Sequence, residues 1–428
     1  MQRGRLFRNL LILIAILVAG GCGGEAGRDR LPAEIAIGVI YPLSGVNRET
    51  GEDLRDGLEL AVQIINNQTD LPLPFGRQSG LSDDGHVKLR LVYRDSKSDP
   101  HRSVRLVEEL VEQQKVAAII GCYSSTVTAA ASERAEMLKI PFINAASTSP
   151  FLTARHLKWF FRTTPHDEMF AKNFFSFLAY IRKAYKEASP PNLALVYENR
   201  LWGTSVSRIE RQLARRYGYP IVLDLPYNHK DSDFSKECAA IGAAMPAVIL
   251  QASYDSDAIA LMQGYKRGDI NPIAVLAMNA GFISPSFLKT LGADGNFIFT
   301  REVWALDIGE KKAIVKLVND AFKKRFQRGM SGNSARSFTA MFVVANAIQH
   351  AGKTSPDAVR QALMDTSLPA ASIIMPWDGV RFDTQSGQNI LGKGIIVQVQ
   401  EGEYRTVWPR ELSGSLIVWP MPGWKRRR

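Results

Sequence analysis

The sequence is poor in cysteine, with only three in 428 residues. Cys122 ends an apolar run typical of a strand, whereas Cys238 lies in a helical pattern more than a hundred positions further on. We therefore expect no structural disulfide between them and predict two buried free thiols. This scarcity excludes the small, disulfide-dense class of secreted domains.

Motifs of common enzyme classes are also missing. Gly352-Lys353-Thr354 resembles the end of a phosphate-binding loop, but Ala347 occupies the required upstream glycine position. No Gly-x-Ser-x-Gly nucleophile elbow occurs. The histidines lack metal-ligand spacing; they are His86, His101, His156, His166, His229 and His350. We therefore expect no enzyme, no metal and no other cofactor.

The formal charge of +11 is concentrated at the two ends of the chain. Three arginines lie in the N-terminal segment and four basic residues form the tail 425–428, which leaves +4 for the rest. A weakly basic globule gives no reason to expect nucleic-acid binding. The basic tail is expected to be a solvated end.

The N-terminus has the pattern of an export signal. Basic residues precede the apolar run Leu10–Val18, and small residues follow it up to Cys22. A run of roughly ten residues is too short for a membrane span, which needs ~20. Cys22 resembles a bacterial lipoprotein processing site, so 1–21 is predicted as the signal peptide and 22–34 as a lipid-anchored tether. Because Ala19 stands where leucine is usual, cleavage after Gly21 without lipid stays open.

Beyond Leu31, strand patterns alternate with helical patterns in two blocks, one on each side of Thr164. Such alternation predicts two doubly wound parallel sheets, one in each lobe, and therefore an α/β protein. Predicted strands include 35–41, 87–93, 192–197, 247–251 and 273–277, and predicted helices include 54–65, 168–185, 206–217 and 334–350.

Two clusters of hydroxyl residues follow neighbouring predicted strands. Ser124-Ser125-Thr126 comes after the apolar run Ala117–Gly121, and Ser147-Thr148-Ser149 comes after Phe142–Asn144. The carboxyl ends of parallel strands meet at one edge of a sheet, which is where such sheets bind ligands. Hydroxyls and free N–H groups at a helix start suit a small carboxylate. The alternative is that Ser124–Thr126 only cap a helix.

These segments resemble the branched-chain amino-acid type of periplasmic binding proteins, the solute receptors of ATP-driven importers. The resemblance lies in Ile119–Ser125, Ala131-Ser132, Ala146–Thr148, Leu152–Arg155 and Phe161–Thr164, and it extends from about Ile35 to Trp424. It implies two lobes joined by a three-segment hinge, in the type I fold of this family. The first lobe would comprise 35–164 and 302–396, and the second would comprise 165–301 and 397–424.

The resemblance also implies a ligand site between the lobes. Ser125 and Thr148 would hold a ligand carboxylate, beside Thr126, Ala146 and Ser147. Trp202 and Tyr254 match aromatic positions of the second lobe. Taken alone, either ring is more typical of packing, but the matched context favours the cleft. An aromatic ring with a polar tip can exclude water from a small pocket and still form hydrogen bonds.

Two departures from the family pattern bear on the ligand. Asn279 stands where amino-acid binders carry an acidic residue for the ligand's ammonium, and Thr50 replaces an aromatic residue before Gly51. An ammonium without a carboxylate partner loses a charge-assisted bond of ~2 kcal/mol. The expected ligand is thus a small polar or carboxylate-bearing molecule without a free α-amino group. Asp255 or Asp257 is the alternative source of negative charge.

The predicted function is that of a monomeric extracytoplasmic receptor in the periplasm or cell envelope. Its expected partners are a small-molecule ligand, the permease of an ABC importer, and the membrane through lipid on Cys22. A sensory lipoprotein and a scaffold lipoprotein that binds no ligand are the alternatives that the sequence leaves open.

Overall fold

The computed structural model describes residues 31–82 and 86–427. Its first sheet has the strand order β2-β1-β3-β4-β5, and all neighbouring strands are parallel. Both faces of this sheet are covered, which explains the unbroken apolar sequence of its central strands. The strands are β1 (Glu34–Tyr41), β2 (Lys88–Asp95), β3 (Ala118–Gly121), β4 (Phe142–Asn144) and β5 (Phe160–Arg162).

The second sheet has the order β14-β13-β10-β9-β8-β6-β7. Its strands are β6 (Leu193–Glu198), β7 (Ile221–Tyr227), β8 (Val248–Ala252), β9 (Ala274–Ala277), β10 (Phe299–Glu302), β13 (Ile395–Gln400) and β14 (Glu403–Trp408). Between β10 and β13 in sequence lies a separate antiparallel pair, β11 (Ser367–Pro369) and β12 (Gly379–Arg381).

The predicted α/β fold with two sheets is confirmed, but the second sheet is not purely parallel. Strands β6 to β10 are parallel, whereas β13 runs antiparallel to β10 and β14 antiparallel to β13. Glu401 and Gly402 alone join β13 to β14, with φ of 53° and 75°. So short a connection, with φ positive at both residues, can join only antiparallel strands.

The helices cover both sheets. In the described residues they are α1 (Arg48–Asn66), α2 (Pro100–Glu112), α3 (Ser125–Met137), α4 (Phe151–Ala154), α5 (Asp167–Ala184), α6 (Leu201–Tyr217), α7 (Ser235–Ala244), α8 (Asp255–Arg267), α9 (Pro285–Leu291), α10 (Ala313–Phe326), α11 (Gly332–Ala351) and α12 (Pro356–Met364). None of them is both long and apolar enough to cross a lipid bilayer.

Helix α11 ties the later part of the chain to the first sheet by packing against α1. At Gly57 of α1, an added Cβ would lie 2.2 Å from the carbonyl oxygen of Ser334, so the two helices approach as closely as only glycine permits. The chain therefore leaves the first sheet after β5, returns to it after β10 and joins the second sheet again at β13. We call each sheet with its helices a lobe.

The two thiols of the described chain are free and buried. Cys122 packs in the apolar layer of the first lobe that includes Val107 and Phe142, and Cys238 packs in that of the second lobe with Phe234 and Ile241. They serve as small apolar side chains in separate cores.

The prediction of a solvated tail is wrong for Arg427, which is only 4% exposed. Its guanidinium lies 3.6 Å from the ring centroid of Trp424 and donates to the carbonyl oxygen of Asp294 at 3.0 Å. The long aliphatic stem and the planar head of arginine allow such packing. The predicted signal peptide 1–21, Cys22, the tether up to residue 30 and Arg428 lie outside the described residues.

Candidate functional site

The first hydroxyl cluster forms the start of α3. Ser124 is the N-cap, with extended backbone angles, and its hydroxyl accepts from the N–H of Val127. Ser125, 1% exposed, accepts a hydrogen bond from the N–H of Ser149 at 3.3 Å. The first cluster therefore contacts the second directly, as expected for the ends of neighbouring parallel strands. Thr126 follows on α3 and is half-buried.

Ser147 fixes the shape of the second cluster. Its hydroxyl lies 2.6 Å from the hydroxyl of Thr128 and 2.7 Å from the carbonyl oxygen of Tyr123. Because these bonds hold the two strand-end loops together, Ser147 supports the site from within the first lobe. Ala146 lies beside it and is 6% exposed.

Thr148 faces the second lobe, where it meets a buried ion pair. Arg301, at the end of β10, donates from Nη2 to the Thr148 hydroxyl at 3.2 Å. The same nitrogen lies 3.5 Å from Oδ1 of Asp167, and the N–H of Asp167 donates to the carbonyl oxygen of Thr148 at 2.9 Å. The guanidinium also lies over the ring of Phe170, at 4.0 Å from its centroid. Three chain segments thus meet at Thr148.

Several polar atoms of this group lack hydrogen-bond partners within the described chain. They are Nε and Nη1 of Arg301, Oδ2 of Asp167 and Nε1 of Trp202. The Trp202 indole approaches the Asp167 carboxylate, but without a well-aligned hydrogen bond. Unpaired polar atoms of this kind are rare in protein interiors and cost about 1–3 kcal/mol each. Asp167, Trp202 and Arg301 therefore form a buried polar group with unpaired atoms in the described chain.

Burial controls the charges in this group. It raises the pKa of Asp167, and the positive charge of Arg301 opposes that rise. Burial lowers the pKa of Arg301 to about 10, with Asp167 acting in the opposite direction. Arg301 consequently keeps its positive charge at neutral pH. Its unpaired Nε and Nη1 lie on different edges of the guanidinium, so one carboxylate can accept from either of them but not from both.

The two predicted aromatic residues lie together in the second lobe. The ring centroids of Trp202 and Tyr254 are 4.8 Å apart. Glu198 positions Trp202, because its carboxylate accepts from the N–H groups of Arg200 and Gly203 at 2.8 Å and so caps the start of α6. The N–H of Ser125 faces the Tyr254 hydroxyl, which joins this wall to the first cluster.

Asp255 forms a second link between the lobes. Its Oδ2 accepts from the hydroxyl of Thr50 at 2.6 Å, and its Oδ1 accepts from that of Tyr123 at 3.3 Å. Burial raises the pKa of Asp255 to about 7, although both hydroxyls lower it. The Tyr123 ring also packs edge-on against Tyr254 at 5.5 Å. Asp255 thus places a buried carboxyl between the lobes, and its role as the source of negative charge for a ligand stays a prediction.

Asn279 follows β9 and is 2% exposed. Its amide nitrogen donates to Glu302 at 2.8 Å, and its amide oxygen accepts from Arg336 at 3.4 Å. Its φ of 62° and ψ of −129° lie outside the regions that non-glycine residues usually occupy. Glu302 and Arg336 form a further buried ion pair at 3.3 Å. Asn279 thereby belongs to a network that joins β10 to α11.

The structure brings together Ser125, Thr148, Trp202 and Tyr254, and it adds groups that the sequence reading missed. These are Tyr123, Asp167, Arg301, Glu302 and Arg336. A signal existed for Arg301 and Glu302, because they directly follow 296–300, a further predicted strand of the second lobe, and parallel sheets bind ligands at such strand ends. For Arg336, near the start of the helical pattern 334–350, no such signal was present.

Comparison with known proteins agrees with this architecture. The periplasmic binding protein family model matches residues 34–403. The Leu/Ile/Val-binding protein homolog 7 of Brucella suis is 28% identical over 419 residues, which cover 95% of this chain and 99% of that protein. Such homologues are binding proteins rather than enzymes, and the family implies an extracytoplasmic location.

Solved structures share the fold at low identity. The substrate-binding protein LivJ of Streptococcus pneumoniae, in complex with isoleucine, has a TM-score of 0.71 at 20% identity, covering 88% of this chain and 100% of that one. A solute-binding protein of an ABC transporter from Rhodopseudomonas palustris, in complex with 3,4-dihydroxybenzoic acid, has a TM-score of 0.73 at 17% identity, covering 88% and 96%. The chain belongs to the periplasmic binding protein family, in its type I form.

Proposed function

We propose that this chain is the solute receptor of an ABC importer and captures a small carboxylate-bearing ligand between its lobes. The observation that supports this most strongly is the buried Arg301, which has two unpaired donor nitrogens beside the hydroxyl of Thr148. A ligand carboxylate would accept from one of these nitrogens and from the Thr148 hydroxyl. Trp202 and Tyr254 would cover it from the second lobe.

The energetics of such a site are adequate for a receptor. A micromolar dissociation constant corresponds to about −8 kcal/mol. Hydrogen bonds to charged groups contribute roughly 1.5–3 kcal/mol each, and an aromatic contact adds to this before the ordering costs are subtracted. The ligand stabilises the closed arrangement only through contacts that are absent when the lobes separate. We propose that the lobes, with the boundaries given above, close about their three connections.

We further propose that the ligand lacks a free α-amino group. Asn279 occupies the position of the expected acidic residue, and its amide is already hydrogen-bonded to Glu302 and Arg336. Asp255 is hydrogen-bonded to hydroxyls of the first lobe. The ligands in the two neighbouring structures, isoleucine and 3,4-dihydroxybenzoic acid, share a carboxylate, and only the former has an amino group.

Calorimetric titration with leucine, its deaminated analogue 4-methylpentanoate, and benzoate tests both points. We expect binding of at least one of the two acids that lack an amino group and weaker binding of leucine. Thr148→Ala should weaken binding by about tenfold, or about 1.4 kcal/mol, and should lower the unfolding free energy of the free protein by about 1 kcal/mol, because Arg301 loses one acceptor. Thr290→Ala, at an exposed position of α9, is the matched control. Tight leucine binding without binding of either acid would refute the proposed ligand class.

The remaining parts of the proposal concern attachment and partners. Lipid on Cys22 would hold the receptor at the membrane of the cell envelope, and the closed form would dock on a permease as a monomer. Mass spectrometry of the full chain from a bacterial membrane fraction tests the first point. A lipid-modified N-terminal Cys22 is expected, and an unmodified N-terminus at Cys22 would contradict it.

A further inference from the structure

A cavity of about 540 Å³ lies at the edge of the first lobe where its parallel strands begin. Its walls come from the turns before β4 and β5, from α12, and from the loop after β12. The strands β1 to β5 run in one direction, and their carboxyl ends face the cleft. The cavity therefore lies at the opposite end of the strands from Ser125 and Thr148.

The charges on the walls of this cavity favour an anion. Three basic side chains, those of Lys139, Lys158 and Arg360, line it together with the carboxylate of Asp357. Both lysines are exposed, and neither forms an ion pair within the described parts of the chain. The walls thus carry an excess of positive charge.

Hydrogen bonds hold the basic side of the cavity in place. The carboxylate of Glu136 accepts from the N–H groups of Lys158 and Trp159 at 3.0 and 2.8 Å, which fixes the turn before β5. Nε of Arg360 donates to the carbonyl oxygen of Lys158 at 2.8 Å, and its guanidinium lies 5.6 Å from the ring centroid of Trp159. Nη1 and Nη2 of Arg360 have no hydrogen-bond partner in residues 31–82 and 86–427. These two nitrogens can donate together to two oxygens of one phosphate.

The place where the described chain begins favours a lipid as the source of that phosphate. In the first sheet β5 is three strand spacings from β1, about 14 Å, and both strands start at this edge. Leu31 leads into β1, and Cys22 is nine residues earlier, a length that spans at most about 32 Å. A lipid on Cys22 would therefore keep the cavity within reach of anionic headgroups.

We propose that this cavity binds the phosphate group of an anionic phospholipid in the membrane that holds the receptor. The phosphate would accept from Nη1 and Nη2 of Arg360 and from the ammonium groups of Lys139 and Lys158. The choice of a lipid rests on the proposed attachment through Cys22, whereas the choice of an anion rests on the cavity alone. In this arrangement the cleft, at the other end of the strands, lies away from the lipid surface.

The probes are two short-chain lipids that differ only in the headgroup. Dihexanoylphosphatidylglycerol is an anion, and dihexanoylphosphatidylcholine has the same acyl chains without net charge. Titration calorimetry on the full chain at low salt should give a dissociation constant of about 1 mM for the first and at least about tenfold weaker binding for the second. Inorganic phosphate should also bind at least about tenfold more weakly, because it cannot contact the apolar walls of Leu157 and Met364.

Four variants locate the anionic probe. Asp357→Asn removes a carboxylate from the walls and should tighten binding about threefold, a gain that a folding defect cannot produce. Arg360→Gln should weaken binding about tenfold and Lys139→Gln about fivefold. Lys115→Gln removes the same charge as Lys139→Gln from an exposed position before β3, outside the cavity, and should bind within about twofold of the wild type.

Several results would each overturn the proposal. They are wild-type affinity in Arg360→Gln, equal binding of the two lipids, binding of inorganic phosphate as tight as that of phosphatidylglycerol, and no binding of phosphatidylglycerol at about 10 mM. The titrations need no ligand in the cleft and no lipid on Cys22. Failure here is therefore distinguishable from failure of the proposed function.

Discussion

The two lobes contribute different chemistry to the cleft. The first lobe presents hydroxyl and N–H groups whose positions are fixed by bonds within the lobe, as between Ser147 and Thr128. The second lobe and the hinge present charged and aromatic groups, such as Asp255 and Arg301, whose hydrogen bonds cross the cleft. The first lobe thus presents a surface held by its own hydrogen bonds, whereas Asp255 and Arg301 of the second lobe form hydrogen bonds with hydroxyls of the first.

The largest expected effect on ligand affinity is that of a substitution at Arg301. Arg301→Gln removes the cation and its free donors, and we expect carboxylate affinity to fall about 100-fold. It also leaves Asp167 buried without its partner, at a cost of about 3–5 kcal/mol in unfolding free energy. Titration calorimetry and urea denaturation measure the two quantities.

Two further variants separate binding from folding at this site. The double variant Arg301→Gln with Asp167→Asn should regain most of the lost stability and none of the lost affinity, because no buried charge is left unpaired. Arg211→Gln breaks a half-exposed ion pair with Asp224 and should change affinity less than twofold. Recovery of affinity in the double variant would assign Arg301 a structural role alone.

Asp255 gives the second lobe a pH dependence that the hydroxyls of the first lobe cannot have. Burial, reinforced by Glu49 and Asp257 and opposed by Thr50 and Tyr123, raises the pKa of its carboxyl to about 7 from an ordinary 3.8. Between these values the folded chain holds a proton that the unfolded chain releases. Its contribution to stability is therefore complete below pH 3.8 and is lost as pH rises to 7, by on the order of 2–4 kcal/mol.

Asp255→Asn tests this dependence. Urea denaturation between pH 4 and 8 should show a shallower fall in unfolding free energy for the variant than for the wild type. Asp320→Asn, at an exposed position of α10, should keep the wild-type slope. If the unfolding free energies of Asp255→Asn and the wild type changed in parallel between pH 4 and 8, the Asp255 carboxyl would not titrate in that range.

Ser147 and Thr148, both in the first lobe, are expected to differ in their effects on stability and on ligand affinity. Ser147→Ala removes bonds to Thr128 and to the backbone of Tyr123, so we expect a loss of about 1–2 kcal/mol in unfolding free energy. Its effect on ligand affinity should be smaller than that of Thr148→Ala, which removes one hydrogen bond from Arg301 and should cost about 1 kcal/mol in unfolding free energy. Ser232→Ala, at an exposed position, is the control for both measurements. If Ser147→Ala weakened ligand binding more than Thr148→Ala did, Ser147 would be the ligand contact and Thr148 the supporting residue.

The smallest effect on ligand affinity is expected for a substitution at Tyr254. Tyr254→Phe keeps the ring beside Trp202 and removes the hydroxyl that faces the N–H of Ser125. We expect ligand affinity to fall two- to fivefold, corresponding to about 0.5–1 kcal/mol. Tyr217→Phe, 41% exposed, should have no effect in the same titration. A loss above tenfold would indicate that the Tyr254 hydroxyl contacts the ligand directly.

The sequence was sufficient to predict the features of the fold that depend on local patterns of residues. Strand and helix alternation predicted both sheets, and the rule of strand ends predicted that the clusters around Ser125 and Thr148 meet. It was insufficient for contacts between the lobes: 205 positions separate Thr50 from Asp255, and 153 separate Thr148 from Arg301. Whether a charged group at a strand end is buried depends on the opposing lobe, which no local pattern encodes.

The most direct test of the carboxylate site is the preference for benzoate over benzamide, measured by titration calorimetry on the wild-type chain and on Arg301→Gln. With Arg301 present, the acid should bind about 100-fold more tightly than the amide, because only the acid pairs with the guanidinium. In Arg301→Gln, the two should bind within a few-fold of each other. A preference that persists without Arg301 would contradict the proposed role of this residue.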